Sequence, residues 1–479
     1  MTDKINDTLK AFAAGRMNRR DMLTRMGQLG IGAAATTMLL NRMQTSALAA
    51  TSYDWMAQKG KSIKLLMNKH PYTDALLKNI DSFKTLTGID VTYDVFPEDV
   101  YFDKVTAALS SKSTTYDLFM SGAYQTWQYG PAGWLVDLKK FINDPAETSP
   151  DYDWDGILPN LRASTAWSGV PGEALGSPTA KQWALPWAWE LNSIAYNKRI
   201  LEQAHMEPPK DLPHLIEMAA KISKDIPGVY GIGARGSRSW ATIHAGFLSA
   251  YSNYGAKDFD TSSGKLVPAM NSKESKAFTK LWIEMLQKGG PKNWTTYTWY
   301  EVANDLGGGT SAMVYDADSA AFFQERGTKE AGNIVYHAFT PNPEASRPTP
   351  NVWIWSLAMS NFSRQQQAAW KLMQWATSTQ QLTLGATKAD LIDPTRQVVW
   401  DNQDFKTRMQ GYPGFLDQFA ASSPGAKIYF TPQPLFFNVT TNWAAALQKM
   451  YSNQVSVEDG LDQLAADIKS QLSNAGITD

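Results

Sequence analysis

IKLLMNKHPYTDALLKNIDSFKTLTGIDVTYDVFPEDVYFDKVTAALSSKSTTYDLFM, residues 63–120, decides the architecture of the chain. Ile63 to Met67 is an apolar run of strand length. Thr73 is placed to cap a helix that sets Leu76, Leu77, Ile80 and Phe83 on one stripe and closes near Gly88. Ile89 to Val95 then alternates in the strand period, Val100 to Leu109 returns to the helical one, and Leu118-Phe119-Met120 makes a third short strand. Strand, helix, strand, helix, strand in that order requires parallel pairing through right-handed crossovers, so the segment predicts an α/β lobe.

Outward from that core, residues 143–178 are rich in Pro, Gly, Ser and Asp and are expected to be loops, after which strand and helix signals resume at Trp183. Lys273 to Leu286 and Arg364 to Leu384 have the spacing of amphipathic helices. A last helix opens on Ser456-Val457-Glu458-Asp459, a capping pattern, with Val457, Leu461, Leu464, Ile468 and Leu472 on one face. Gly307-Gly308-Gly309 lacks the Lys-Ser/Thr ending of a phosphate-cradling loop and is expected to be a flexible turn entering a strand from Ala312 to Tyr315.

Toward the amino terminus the pattern changes. Asn18-Arg19-Arg20-Asp21-Met22-Leu23 precedes a run from Met26 to Leu40 that carries no charge, and Ala47-Leu48-Ala49 has the small-x-small form of a cleavage site. The segment resembles a bacterial twin-arginine export signal, with Asn18, Met22 and Thr24 departing from its commonest form. Arg25 and Arg42 bracket fewer than the roughly 20 apolar residues of a spanning helix, so residues 1–49 are expected to be a cleaved signal and not an anchor. Met1 to Ala49 carries a net charge of +4, which leaves −5 on the remainder of a chain whose total is −1.

The 479 residues suffice for two or three domains. With no cysteine, disulfides, thiol nucleophiles, thiolate metal sites and a lipidated anchor are excluded. Balanced charge, Lys+Arg 45 against Asp+Glu 46, offers no basic field for nucleic acid. The five histidines are scattered with no zinc-ligand spacing, no Gly-x-Ser-x-Gly elbow exists, and neither a metal nor a cofactor is expected. Aromatic residues are abundant at 12%. Trp183, Trp187 and Trp189 run up to Glu190, Trp353 and Trp355 follow a Pro-rich loop, and Tyr124 and Trp127 lie just past Met120. Indoles beside isolated carboxylates and guanidiniums suit sugar rings, which offer C–H faces for stacking and hydroxyls for fixed acceptors. Large aromatics are also what a core buries.

At these residues the chain resembles a known family. Tyr93-Asp94-Val95-Phe96-Pro97-Glu98 with Lys104-Val105, Tyr116-Asp117-Leu118, Gly133-Trp134-Leu135-Val136-Asp137-Leu138, Leu185-Pro186 through Glu190, Tyr196-Asn197-Lys198, Pro208-Pro209-Lys210, Gly309 to Met313 and Asp393-Pro394-Thr395-Arg396 are similar, in order and spacing, to the carbohydrate-binding extracellular solute-binding proteins of bacterial ABC importers, the maltose-binding-protein-like family 1. The resemblance implies the α/β two-lobe periplasmic binding protein fold of type II, with hinged lobes closing on a central ligand cleft. Lobe 1 would comprise 62–187 plus 357–405, and lobe 2 would comprise 190–355 plus 410–479. It also implies a monomer in the periplasm that hands its ligand to membrane permease subunits.

Carried over residue by residue, the resemblance places His70 and Tyr72 in the loop after the first strand, and Ser121 and Tyr124 in the loop after Met120, where relatives often have a carboxylate or asparagine. Trp187 and Trp189 lead to Glu190, which matches the acidic residue that accepts hydroxyl protons at the hinge crossing of maltose-type relatives. Arg235 and Trp240 occupy a second-lobe loop facing ligand, Asp316 and Asp318 end the strand from Ala312, and Trp353 and Trp355 enter the return crossing. The implied function is capture of a sugar, oligosaccharide or sugar alcohol, with no catalysis. Two other functions use the same residue types. A glycoside hydrolase needs two carboxylates about 5 to 9 Å apart, nominally Glu190 with Asp316 or Asp318. An amine receptor would cage a cation among carboxylates and indoles, which Arg235 and Arg238 oppose.

Overall fold

The structure, a computed structural model, describes Thr8, residues 19–28 and residues 53–477. Strand β1 (Ser62–Asn68) is buried continuously from Leu65 onward, as a strand covered on both faces must be. It pairs in parallel with β2 (Asp90–Phe96) on one side and with β3 (Leu118–Gly122) on the other, which is the expected arrangement. The helix between β1 and β2 differs from expectation. It forms two pieces, Pro71–Leu77 and Ile80–Thr87, and the first is capped by His70, whose Nδ1 accepts from the Tyr72 amide at 3.2 Å. Pro71 at the first helical position pre-sets the backbone and starts the helix before Thr73. Thr73 is buried inside it, with its hydroxyl on Met120 Sδ. Gly88 closes the second piece at φ 66°, a left-handed position that glycine occupies without strain.

The remaining long strands are β4 (Leu185–Asn197), β5 (Tyr230–Gly233), β6 (Ser311–Ala317), β7 (Ile334–His337) and β8 (Val352–Met359). All eight make one sheet in the order β2-β1-β3-β8-β4-β6-β5, with β7 also on β4. Strand β4 joins its two halves. Leu185 to Leu191 pairs antiparallel with β8, whereas Asn192 to Tyr196 pairs antiparallel with β6, and β7 takes the edge that β8 occupies farther back. Strand β8 in turn reaches β3 through Trp355 to Met359. Two adjacent strands therefore carry the chain between the halves.

In the second half, helices Leu212–Asp225 and Lys273–Gly289 pack together, and helix Trp299–Gly308 leads into β6. Gly307 and Gly308 are the end of that helix and not a flexible turn. Gly309 terminates it at φ 76°, because only a residue without Cβ takes this turn freely. The segment expected as one helix from Arg364 to Leu384 breaks at Thr377, since Ser378 caps a new helix by accepting from the Gln381 amide. The carboxyl-terminal helix Val457–Asn474 forms as expected, with Leu461, Leu464, Ile468 and Leu472 buried. Helix Phe436–Tyr451 packs on the second half, yet Phe436 also leans on Tyr124 and Trp127 of the first, with ring centroids 4.6 and 5.2 Å apart. Near the amino terminus Arg19–Gln28 is helical; the expected cleavage site at Ala47 to Ala49 lies outside the described residues.

Candidate functional site

Where the halves face one another across β4 and β8, a space of about 390 Å³ is lined by His70 and Glu98 from the first half, by Arg235, Trp240, His244, Trp299 and residues of 317–323 from the second, and by Glu190, Trp353 and Trp355 from the crossing strands. Glu190 is its central acceptor. It is buried, and its Oε1 accepts the indole N–H of Trp355 at 2.9 Å. Burial pushes the carboxyl up to about 7, against the opposing pull of Arg235 and the Trp355 hydrogen bond. His70 Nε2 stands 3.8 Å from the same oxygen. Burial holds that imidazole down at about 3, so the contact joins a neutral ring to the carboxyl and is not an ion pair. Because His70 Nδ1 accepts from the Tyr72 amide, the ring proton sits on Nε2, facing Glu190.

The walls are aromatic. Trp355 lies parallel to Phe102 at 6.2 Å and perpendicular to Trp353 at 5.0 Å, and Trp240, Trp353 and His244 form a triangle of rings 5.2 to 5.4 Å apart. Gly122 makes the Trp353 position possible, since a Cβ there would come within 2.0 Å of the indole. On the far wall Arg235 forms a bidentate pair with Asp316, Nε to Oδ2 at 2.8 Å and the second terminal nitrogen to Oδ1 at 2.5 Å. Its remaining terminal nitrogen meets His244 Nε2 at 3.0 Å. Burial first, and then the guanidinium, hold His244 well below the usual histidine range, so it stays neutral. The buried Arg235 thus has its charge matched by Asp316 and most of its N–H groups used within the protein, while it still lines the space.

The expected residues divide accordingly. His70, Glu190, Arg235, Trp240, Trp353 and Trp355 come together around the space. Trp187 and Trp189 do not. Residues alternate across a strand, so side chains one position from Glu190 point to the opposite face. Trp189 donates to the Pro394 carbonyl and packs on Phe419, and Trp187 packs on Tyr72. Tyr124 is a core residue, donating to the Val352 carbonyl and accepting from Asn351. Ser121 turns its hydroxyl to the Gly122 carbonyl. Asp316 is consumed by Arg235, and Tyr72 and Asp318 lie behind the lining. Besides the small residues Ala317, Ser319 and Ala320, the lining residues that escaped the sequence reading are Glu98, His244, Trp299 and Phe323. Glu98 follows Pro97 in a quoted motif, which was the available signal; the other three stand in ordinary helical context. Arg396 of the Asp-Pro-Thr-Arg motif is buried far from the space, donating to the carbonyls of Thr377, Asp153 and Tyr152, and so pins loops of the first half.

Comparison with known proteins adds the following. The family described as bacterial extracellular solute-binding protein matches residues 68–382. The erythritol/L-threitol-binding protein of Mycolicibacterium smegmatis is 36% identical over 473 residues, covering 96% of this chain and 98% of that one. Among solved structures, a solute-binding protein of Agrobacterium vitis with bound D-mannitol superposes with a TM-score of 0.72 at 24% identity, over 87% of this chain and 99% of that one. Maltose-bound MalE3 of T. maritima gives 0.73 at 20% identity, over 86% and 100%. Both structures share the two-lobe α/β fold of type II periplasmic binding proteins.

Proposed function

The chain belongs to the bacterial extracellular solute-binding protein family, and from that premise we propose that it captures a short sugar alcohol of the erythritol and threitol kind and delivers it to the membrane permease of an ABC importer. The observation that carries this reading is the charge balance of the cleft. The charge of Arg235 is matched by Asp316, and Glu190, held by Trp355, and Glu98 are the carboxyl groups that face the space. A neutral, multiply hydroxylated ligand fits such a wall: its hydroxyls donate to Glu190, and its C–H edges lie on Trp240, Trp353 and Trp355. An anionic sugar acid would meet Glu190 without a free guanidinium in compensation.

In this reading the ligand-contacting residues are His70, Glu98, Glu190, Arg235, Trp240, His244, Trp299, Trp353 and Trp355, and the two halves of the sheet rock about β4 and β8 as lobes. The protein works as a monomer in the periplasm, reached through the twin-arginine route and freed by cleavage after Ala49. Of the two candidates for the second carboxylate of a hydrolase, Asp316 is locked to Arg235 and Asp318 lies outside the lining. Titration calorimetry with erythritol, L-threitol, ribitol, mannitol, maltose, a uronate and a polyamine tests the assignment. Micromolar binding of a four- or five-carbon polyol at one per chain is expected, and preference for maltose, the uronate or the polyamine would overturn it.

A further inference from the structure

Two carboxyl groups meet where the halves of the sheet meet. Along one edge of β4 the Trp189 amide donates to the Asp393 carbonyl at 3.3 Å, and two residues on the Leu191 amide donates to Asp318 Oδ1 at 3.1 Å. Amides two apart on a strand point the same way, so the two segments arrive end to end on a single edge. Asp393 comes from the first half, after helix Thr379–Lys388 and next to Pro394, which bridges Ala188. Asp318 comes from the second half, one residue past β6. Solvent reaches neither: Asp393 is 0% exposed and Asp318 3%.

Asp318 Oδ1 has two amide donors, from Leu191 and Ser319. Asp318 Oδ2 has no donor, Asp393 has only the Tyr72 hydroxyl to turn to, and the nearby Tyr336 hydroxyl is buried without a partner. Among the described residues neither aspartate forms an ion pair with Lys, Arg or His, and no cluster of acids is arranged to hold a metal ion. The charged and titratable groups around the pair are Glu190, which adds negative charge to both, the Tyr72 and Tyr336 hydroxyls, and the neutral His70 beside Glu190. Arg235 acts on Glu190 and is bound to Asp316.

We propose that Asp318 and Asp393 share one proton, an O–H of one carboxyl donating to an oxygen of the other, and that this bridge between the halves is made when the cleft closes, so that ligand capture takes up a proton. Two adjacent ionised carboxylates sealed from water with so few donors are strongly unfavourable, and a single shared proton both supplies a further donor and removes the like-charge repulsion. Burial foremost, with the neighbouring carboxylates adding to it, holds both acids well above the usual carboxylate range. When the cleft opens, each group is hydrated and returns toward ordinary acidity. The closed state therefore has the raised pKa. Its advantage is complete at low pH and is lost as pH rises through that value, by up to about tenfold in affinity per pH unit where one proton is exchanged.

The closure step rests on the solute-capture reading, and the experiment separates the two. Calorimetric titration of the full mature chain with erythritol between pH 5 and 8, in buffers of different ionisation enthalpy, counts protons taken up per ligand. Asp393→Asn and Asp318→Asn are nearly isosteric and bring an amide N–H in place of the proton. The wild type is expected to take up about one proton more than either variant, and its infrared difference spectrum on binding should gain a carbonyl stretch of a buried carboxylic acid that both variants lack. Glu190 is coupled to both aspartates, so the three proteins are also compared with Glu190→Gln in each, and the difference that persists there belongs to the aspartate pair. Equal proton counts in wild type and both variants, or no carboxylic acid band on binding, would overturn the shared proton. Heat with ribitol, mannitol or maltose but not with erythritol would overturn only the ligand assignment, and the protons are then counted on that ligand.

Discussion

Trp355 donates its indole N–H to Glu190 Oε1 at 2.9 Å, and the two residues belong to the neighbouring strands that join the halves of the sheet. The bond fixes the carboxyl and the indole plane together, so one contact sets both the acceptor and the stacking surface of the cleft. Glu190→Gln keeps the shape and removes the charge. A charge-assisted hydrogen bond is worth roughly 1.5–3 kcal/mol, so the dissociation constant for a bound polyol should rise about 10- to 150-fold. Trp355→Phe keeps the ring and removes the donor, and should weaken binding about tenfold. Calorimetry on both variants checks this, and unchanged affinity in both would place the ligand elsewhere.

Stability should depend on pH through the same carboxyl. Glu190 in the folded protein is raised to about 7 from an ordinary 4.5, so its contribution is full below about 4.5 and is lost as pH rises through 7. The melting temperature of the ligand-free wild type should fall relative to that of Glu190→Gln between pH 5 and 8. His70, lowered to about 3, works in the opposite sense and weakens the fold as pH drops below 6.5, but it is common to both proteins. Parallel melting curves across this range would show that Glu190 is ordinary in the folded state.

Breaking the buried ion pair of the far wall should be costly. Asp316→Asn leaves the Arg235 guanidinium 7% exposed with its charge unmatched, which typically costs about 3–5 kcal/mol. Denaturant unfolding measures it, and a loss below about 1 kcal/mol would mean that solvent reaches the guanidinium.

A pair of controls separates packing from binding. Leu464 lies in the carboxyl-terminal helix, remote from the cleft, so Leu464→Ala should cost about 2–5 kcal/mol of stability and leave affinity nearly unchanged. Trp189→Phe should behave likewise, because its ring packs on Phe419 and its N–H serves Pro394 on the side of β4 away from Glu190. A tenfold loss of polyol affinity in Trp189→Phe would reverse the facing assigned to β4.

Export should depend on the arginine pair. Replacing Arg19 and Arg20 with Lys is expected to leave precursor in the cytoplasm, as judged by cell fractionation. Undiminished periplasmic accumulation of the double variant would remove the twin-arginine assignment.

Residue order alone determined the α/β architecture, because strand and helix periods are local: Ile63 to Met67, Ile89 to Val95 and Leu118 to Met120 each declare a strand within a few residues, and the helical stretches between them force parallel pairing. The tryptophans running up to Glu190, with Trp353 and Trp355, likewise pointed to an aromatic wall beside a carboxylate before any contact was known. Within each crossing strand the alternation was also present in the sequence, yet which face holds the ligand space was not. Trp353 and Trp355 face it, and Trp187 and Trp189 turn from it, only because β4 and β8 lie side by side between two covering layers. The partners that decide the chemistry are farther apart still. Arg235 finds Asp316 across 81 positions, Trp355 finds Glu190 across 165, and Asp393 meets Asp318 through amides of a strand distant from both. Local propensity encodes the elements, whereas the pairing of distant charges, the burial that shifts Glu190, and the emptying of water around the aspartate pair arise only when the sheet brings its two halves together.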